Sequence, residues 1–153
     1  MQTFRDNAGR TWTVAVDVAA VKRVRSVLNV DLLEYVDGSL LQRLAVDPVL
    51  LCDVLYVVCK PEADRLGVSD EDFGRAMGGD VIEHATRAFM EALVSFSPNP
   101  RDRANLKRVL NAMDNTMEKA RDIVTRRLDE KLDEVMSTAL RGVGASSLNS
   151  QAL

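Results

Sequence analysis

The feature that most constrains the fold is segment 101–141, which contains neither glycine nor proline. A run of about 40 residues without these helix breakers can form one α-helix, roughly 60 Å long at about 1.5 Å per residue. A helical hairpin is the alternative. Segment 97–100 reads Ser-Pro-Asn-Pro, and it predicts a hinge just before the run because proline disfavours a continuing helix. We therefore expect a helical arm over residues 98–141.

Apolar residues recur along the arm at alternating steps of four and three, which is the spacing of a coiled-coil heptad. They are Leu106, Leu110, Met113, Met117, Ala120 and Val124. The next steps, to Leu128, Leu132 and Val135, are four, four and three, and they indicate a stutter that locally unwinds a supercoil. We interpret the first six residues as a binding seam for self-association or for a client, because methionine adapts to more than one surface. Core packing within a helical hairpin is the alternative.

Residues 1–97 predict a short β-hairpin followed by a compact helical domain. Phe4, Trp12, Val14 and Val16 fall on one face of an alternating pattern, and the turn between the strands holds Asn7 and Gly9. A lone hairpin is marginally stable in water, so its apolar face must pack on helices or on the strands of another copy. Trp12 is the expected anchor of that packing.

Several helix starts can be recognised from capping residues. These are Asp17, Asp47 with Pro48 after it, Ser69, and Asp80. The helix over 18–28 should bury Val21, Val24, Val27 and Leu28. The helix over 49–59 is apolar nearly all round and belongs at the centre of the fold. Segment 29–36 shows no decisive period, and residues 142–153 predict a flexible tail.

Composition indicates a folded protein that is neither disordered nor fibrous: 46% of the residues are hydrophobic, 28% charged and 5% aromatic. The net charge of −3 averages two different parts. Residues 1–99 hold 10 basic and 15 acidic side chains, whereas residues 100–153 hold 10 basic and 8 acidic ones. This mixed surface favours protein contacts, and we expect no nucleic-acid partner.

The sequence has little equipment for catalysis. One histidine and two cysteines are present, and no nucleotide-binding loop, nucleophile motif or metal-ligand cluster occurs. His84 has no triad or ligand partners in the sequence. Cys52 and Cys59 are seven apart in one predicted helix, a separation of roughly 10 Å that exceeds the reach of a disulfide. We predict no enzyme activity, cofactor or metal site, although a pair of converging carboxylates stays open as an alternative.

Location follows from what the sequence lacks. There is no apolar window of about 18 residues and no signal-peptide pattern at Met1–Asp6. We expect a cytoplasmic protein without membrane contact.

Lys22, Arg23 and Arg25 form one basic turn of the helix over 18–28. A solvated helix face is its main interpretation, and phosphate binding is the alternative.

The order of elements resembles the small tail assembly chaperones of long-tailed bacteriophages and prophages. The resemblance spans residues 4–97 and leaves 101–153 unmatched. It rests on the hairpin segment 4–12, then Val21-Lys22-Arg23-Val24, Val30-Asp31-Leu32-Leu33, Asp47-Pro48 leading into Val54-Leu55-Tyr56, and Ser69-Asp70-Glu71-Asp72-Phe73-Gly74.

This resemblance implies a non-enzymatic chaperone that binds the tape measure protein, recruits tail tube subunits and forms a homo-oligomer in the bacterial host cytoplasm. Such proteins can also have a longer, frameshifted form. Two other classes stay open: a phage structural or connector component that forms a ring, and a small helical regulatory adaptor that binds nucleic acid through its basic turn.

Overall fold

The computed structural model describes the backbone of residues 1–151 and the side chains of residues 1–143. Its elements are two strands and a series of helices, mainly α, which confirms the predicted fold class. In order they are β1 Gln2–Arg5, β2 Thr11–Val14, α1 Val18–Leu28, a 3₁₀ helix Leu32–Tyr35, α2 Ser39–Val46, α3 Pro48–Val58, α4 Lys60–Leu66, α5 Asp70–Arg75, α6 Asp80–Phe96 and α7 Pro100–Gln151. The arm is therefore one helix, and the helical hairpin is excluded.

The chain divides into two compact units, and the division falls inside α7. The first unit is Met1–Arg108 and the second begins at Val109. The sequence prediction placed the end of the compact domain at residue 97. Leu106 is buried, and Arg103 Nη1 donates to the Ser97 carbonyl oxygen at 2.9 Å, so the start of α7 belongs to the first unit. The predicted flexible tail, residues 142–153, lies almost wholly outside the residues with described side chains and stays a prediction.

The N-terminal hairpin is antiparallel and pairs Phe4 with Trp12 and Gln2 with Val14. Gly9 lies in its turn with a φ of 81°, a conformation that glycine adopts without strain. The predicted apolar face is buried at Phe4, Trp12 and Val14. β1 packs against α6, and the Phe73 ring of α5 meets the Trp12 ring edge-on with 5.0 Å between centroids. Trp12 is thus the packing anchor that the sequence predicted.

Helix α3 occupies the centre of the first unit, as its apolar sequence predicted. Asp47 caps it by accepting from the Leu50 backbone N–H at 3.0 Å, and Pro48 is its first residue. α3 packs against α1, α2, α5 and α6. Leu51, Val54, Leu55, Val57 and Val58 are buried in this packing.

Four details of the first unit were not predicted or differ from the predictions. Segment 29–36, which the sequence left unassigned, holds a 3₁₀ helix, and the Asp31 side chain caps it by accepting from the Leu33 backbone N–H. Val27 is exposed and Leu28 half-buried rather than buried, and the buried residues of α1 are Ala20, Val21 and Val24. Asp80 is the first residue of α6 and makes no capping bond, since Gly79, at a φ of 66°, takes the capping position. Arg23 is half-buried instead of solvated.

Candidate interaction surface

The residues at the start of α7 provide the hydrogen bonds and the proline that favour a helix start. The Asn99 side chain accepts from the Arg101 backbone N–H at 2.9 Å, and the Asn99 carbonyl accepts from the Arg103 N–H. Pro100 takes the first helical position, where a backbone N–H is not needed. Asp102 adds a negative charge to the first turn, which favours a helix start. With no glycine or proline until Gly142, nothing in the sequence stops the helix before that point.

The structure does not present the six predicted seam residues as one surface. Leu106 is 7% exposed and belongs to the core of the first unit. Leu110 and Met113 are half-buried, whereas Met117, Ala120 and Val124 are exposed. The heptad spacing placed these residues correctly on one side of the helix. It could not show that the first of them is covered by the chain's own fold.

The exposed part of the seam continues further along α7 than the predicted binding seam. Met117, Val124, Leu128, Leu132 and Val135 are each between 50% and 57% exposed. We name these five residues, together with Ala120, the apolar row of α7. Leu128, Leu132 and Val135 follow the stutter. The predicted heptad pattern includes these three residues, but the predicted binding seam does not. Nothing among the described residues of the second unit covers it.

Charged side chains of both signs lie on each side of the apolar row. Glu118, Asp122, Asp129 and Asp133 follow one another at steps of four, seven and four, so they share one side of the helix. Arg121 lies on the same side, closer to the row than any of these four carboxylates. Arg127 and Lys131, four residues apart, lie on the other side, which also carries Glu130 and Glu134. Neither side of the row therefore carries charge of a single sign.

The basic turn of α1 is largely engaged within the first unit. Arg23 Nε donates to the Val57 carbonyl oxygen at 2.7 Å, and its Nη2 donates to that of Val58 at 3.0 Å. Arg23 thereby satisfies carbonyl groups at the end of α3, where a positive charge is also favourable. Arg25 pairs with Asp31 at 2.9 Å. These contacts give two of the three basic residues a structural role, which their sequence spacing did not reveal.

A buried polar cluster in the hairpin was also missed from the sequence. The Asp6 carboxylate accepts from the Trp12 indole N–H at 2.8 Å, from Arg10 Nε at 2.8 Å, and from the backbone N–H groups of Ala8 and Arg10 at 2.9 Å. Burial acts to raise the pKa of Asp6, but these hydrogen bonds and the Arg10 charge outweigh it and lower the pKa. The cluster fixes the turn of the hairpin. Its signal in the sequence is an acid at one strand end, an arginine four residues on and a tryptophan two residues later.

Burial raises the pKa of three groups in the first unit, Cys52, Asp53 and Cys59. Cys59 is buried, and burial raises the pKa of its thiol to about 12, so it stays protonated. Cys52 is half-buried and its thiol pKa is also raised, first by burial. Burial and the charges of Asp70 and Asp47 raise the pKa of Asp53. His84 is exposed. Within the described part of the chain, no three His, Cys, Asp or Glu side chains are grouped as a metal ion requires.

Comparisons with known proteins add no relative: no protein-family model, curated protein or solved structure matches the chain. Among the described helices, none combines the length and the apolar character needed to cross a bilayer. The apolar row of α7 is therefore the described feature with the clearest capacity to bind another molecule. It offers an extended helical surface rather than a pocket.

Proposed function

We propose that this protein is a tail assembly chaperone that binds the helical tape measure protein through the apolar row of α7 and recruits tail tube subunits, without catalysis. The observation that carries the proposal is the exposure of that row on a long helix. Large apolar side chains lined up along a surface are typical of a site that another protein covers. The resemblance of residues 4–97 to tail assembly chaperones supplies the class of client.

The chemistry of the row suits such a client. A long amphipathic helix is recognised by laying its apolar face against a matching apolar strip, with side chains spaced three and four residues apart as anchors. From Met117 to Val135 the row extends about 27 Å at 1.5 Å per residue, which is five helical turns of contact. Met117 and Ala120 make one end of it adaptable in shape. The bacterial cytoplasm is the compartment in which this assembly would take place.

The proposal is tested by co-expressing the chain with the tape measure protein of the same genome. The test variant is the double substitution Val124→Asp with Leu128→Asp, which places two charges in the centre of the row. We expect the soluble fraction of the tape measure protein to fall to the level seen without the chaperone, because burying an unpaired carboxylate against an apolar face is costly.

A matched control adds the same two charges on the other side of the helix. Ala112→Asp with Ser137→Asp does this at exposed positions that lie away from the row. The control should keep the tape measure protein as soluble as the unmodified chain does. Equal client solubility with both variants would refute binding through the apolar row, and no gain in solubility with the unmodified chain would refute the chaperone function itself.

A further inference from the structure

We propose that the outer edge of β1 is a docking site for an extended, acidic peptide segment of another protein, which adds to the hairpin as a third strand. The inference concerns the hairpin and does not depend on the proposed function, which uses the apolar row of α7. It rests on backbone groups of β1 that have no partner and on an arginine beside them that has no carboxylate.

The hydrogen bonds of β2 show which backbone groups of the hairpin point outward. The Thr13 N–H donates to Glu62 Oε2 at 3.2 Å, and the Thr13 carbonyl accepts from the Cys59 thiol at 3.7 Å. The backbone groups of Thr13 therefore point away from β1. Its partner Thr3 is turned outward as well, because paired residues of antiparallel strands either exchange both bonds or exchange none. The pattern repeats at every second residue, so Arg5 is also turned outward.

The two edges of the hairpin differ in what covers them. On the β2 side, Glu62 and Cys59 occupy the edge at Thr13, so a further strand cannot pair along the whole of β2. On the β1 side, the N–H and C=O groups of Thr3 and Arg5 make no hydrogen bond with any residue that the structure describes, and both residues are exposed. Unpaired backbone groups along an exposed strand edge are the template to which an extended peptide adds.

The side chains of β1 indicate the chemistry of the added segment. Arg5 is the only charged residue of β1, and no carboxylate of the described residues pairs with it. A carboxylate opposite Arg5 would supply the missing cross-strand partner. On the other face of the hairpin the neighbouring side chain is Phe4, which favours an apolar residue at the next position of the segment.

A second copy of β1 does not supply this chemistry. The strand Gln2–Arg5 contains no acid and would bring another arginine to the edge. Neighbouring strands gain from opposite charges and lose from like ones. The charge of Arg5 therefore selects a segment of different sequence.

A fluorescently labelled peptide of alternating valine and glutamate, blocked at both ends, is the probe. Its binding to the full-length chain is measured by fluorescence anisotropy, and amide hydrogen exchange followed by NMR shows where it binds. We expect slower exchange at Thr3 and Arg5, whose N–H groups then donate to the peptide. A peptide in which lysine replaces glutamate should bind about fivefold more weakly, because it places a like charge beside Arg5.

Substitutions in β1 separate the backbone bonds from the charge. Thr3→Pro removes an outward N–H and leaves the bonds between β1 and β2 in place, so it should weaken binding of the glutamate peptide by about tenfold or more. Thr3→Val is the matched control, which keeps the N–H and should bind like the unmodified chain. Arg5→Glu should reverse the preference, so that the lysine peptide binds better than the glutamate peptide. Trp12 fluorescence reports whether each variant stays folded.

The same bonds can be tested without changing the chain. Methylating alternate backbone nitrogens of the glutamate peptide removes its donors and should abolish binding. The proposal is wrong if the unmethylated peptide fails to bind the unmodified chain at millimolar concentration, or if it binds the unmodified chain and Thr3→Pro equally well. Self-association that Thr3→Pro abolishes would assign the edge to a second copy and would also overturn the proposal. None of these results affects the test of the apolar row, so the two proposals fail separately.

Discussion

Asp6 is a charged side chain held inside the first unit by four hydrogen bonds. It is 5% exposed, and its donors are two backbone N–H groups, the Arg10 guanidinium and the Trp12 indole. A buried carboxylate is tolerated only when donors surround it in this way. Because Trp12 is also the aromatic anchor of the core, the same residue connects the hairpin turn to the packing against Phe73.

We predict that Asp6→Asn lowers the free energy of unfolding by about 2 kcal/mol at neutral pH. The asparagine carbonyl can accept from two donors, but its NH₂ group then faces N–H groups of Trp12 and Arg10 that have no acceptor. Denaturant unfolding followed by Trp12 fluorescence measures the change. Asp64→Asn removes an exposed partner of Lys60 and should cost less than about 0.5 kcal/mol. Equal losses for the two variants would contradict the structural role of Asp6.

The pH dependence of the same variant has a definite sign. The pKa of Asp6 is lower in the folded chain than in the unfolded one, so its contribution is complete above the unfolded value of about 4 and declines as the pH falls through the folded pKa. The difference in stability between the unmodified chain and Asp6→Asn should therefore be constant from pH 7 to 5 and shrink below pH 4. A difference that grew on acidification would show that the folded pKa is raised.

At the residue scale, sequence reasoning succeeded where a side chain acts through its own helix or strand. The buried face of the hairpin is set by alternation, so Phe4 and Trp12 were predictable. The Asp6 cluster and the capping of α3 by Arg23 were not. In the second case the donor and acceptor are separated by 34 residues, and only the folded chain brings them together.

Two signals in the sequence agree in the prediction of helix α3. Asp47 and Pro48 fix where the helix begins, and the apolar residues that follow fix its central position. Both signals are local in the sequence, which is why this helix was predicted well. The 3₁₀ helix Leu32–Tyr35 has only four residues, too few for a period to be detected.

The cap of α3 is open to a direct test. Asp47→Ala should lower the free energy of unfolding by about 1 kcal/mol, because the Leu50 N–H loses its acceptor. Asp47→Asn keeps an oxygen in the same place and should retain most of the stability, which separates the hydrogen bond from the charge. Urea unfolding measures both. If Asp47→Asn were as destabilising as Asp47→Ala, the cap would act through its charge instead.

For α7, the sequence predicted the helix and the side on which its apolar residues lie. It did not predict how much of that side the fold covers. Leu106 and Val124 both lie on the apolar seam of the heptad pattern, yet the first is buried and the second is 55% exposed. The heptad pattern depends only on spacing within the helix, whereas burial depends on what packs against it.

At the scale of the whole molecule, the two units bury their apolar residues differently. The first unit holds every described residue that is buried, from Phe4 to Leu106. The second unit is a stretch of α7 whose apolar row is exposed. A helix of this kind gains most of its stability from a partner, since propensity alone contributes little. The first unit should thus fold alone, and the second should depend on what covers its row.

Where the first unit ends is therefore a measurable property, and the comparison of chains 1–108 and 1–97 decides it. The shorter chain lacks Leu106 and the Arg103 donor to the buried Ser97. Exposing the surface that one leucine covers costs roughly 1.5–3 kcal/mol, so the midpoint of thermal unfolding of chain 1–97 should be about 10 °C or more below that of chain 1–108.

Trp12 is the only tryptophan and is fully buried, so its fluorescence reports the first unit alone. Chain 1–108 should unfold within a few degrees of the full chain by this probe. Equal unfolding midpoints for the two truncated chains would show that the first unit ends at the proline-containing segment 97–100. A full chain with a much higher midpoint than chain 1–108 would show that α7 beyond Arg108 also stabilises the first unit.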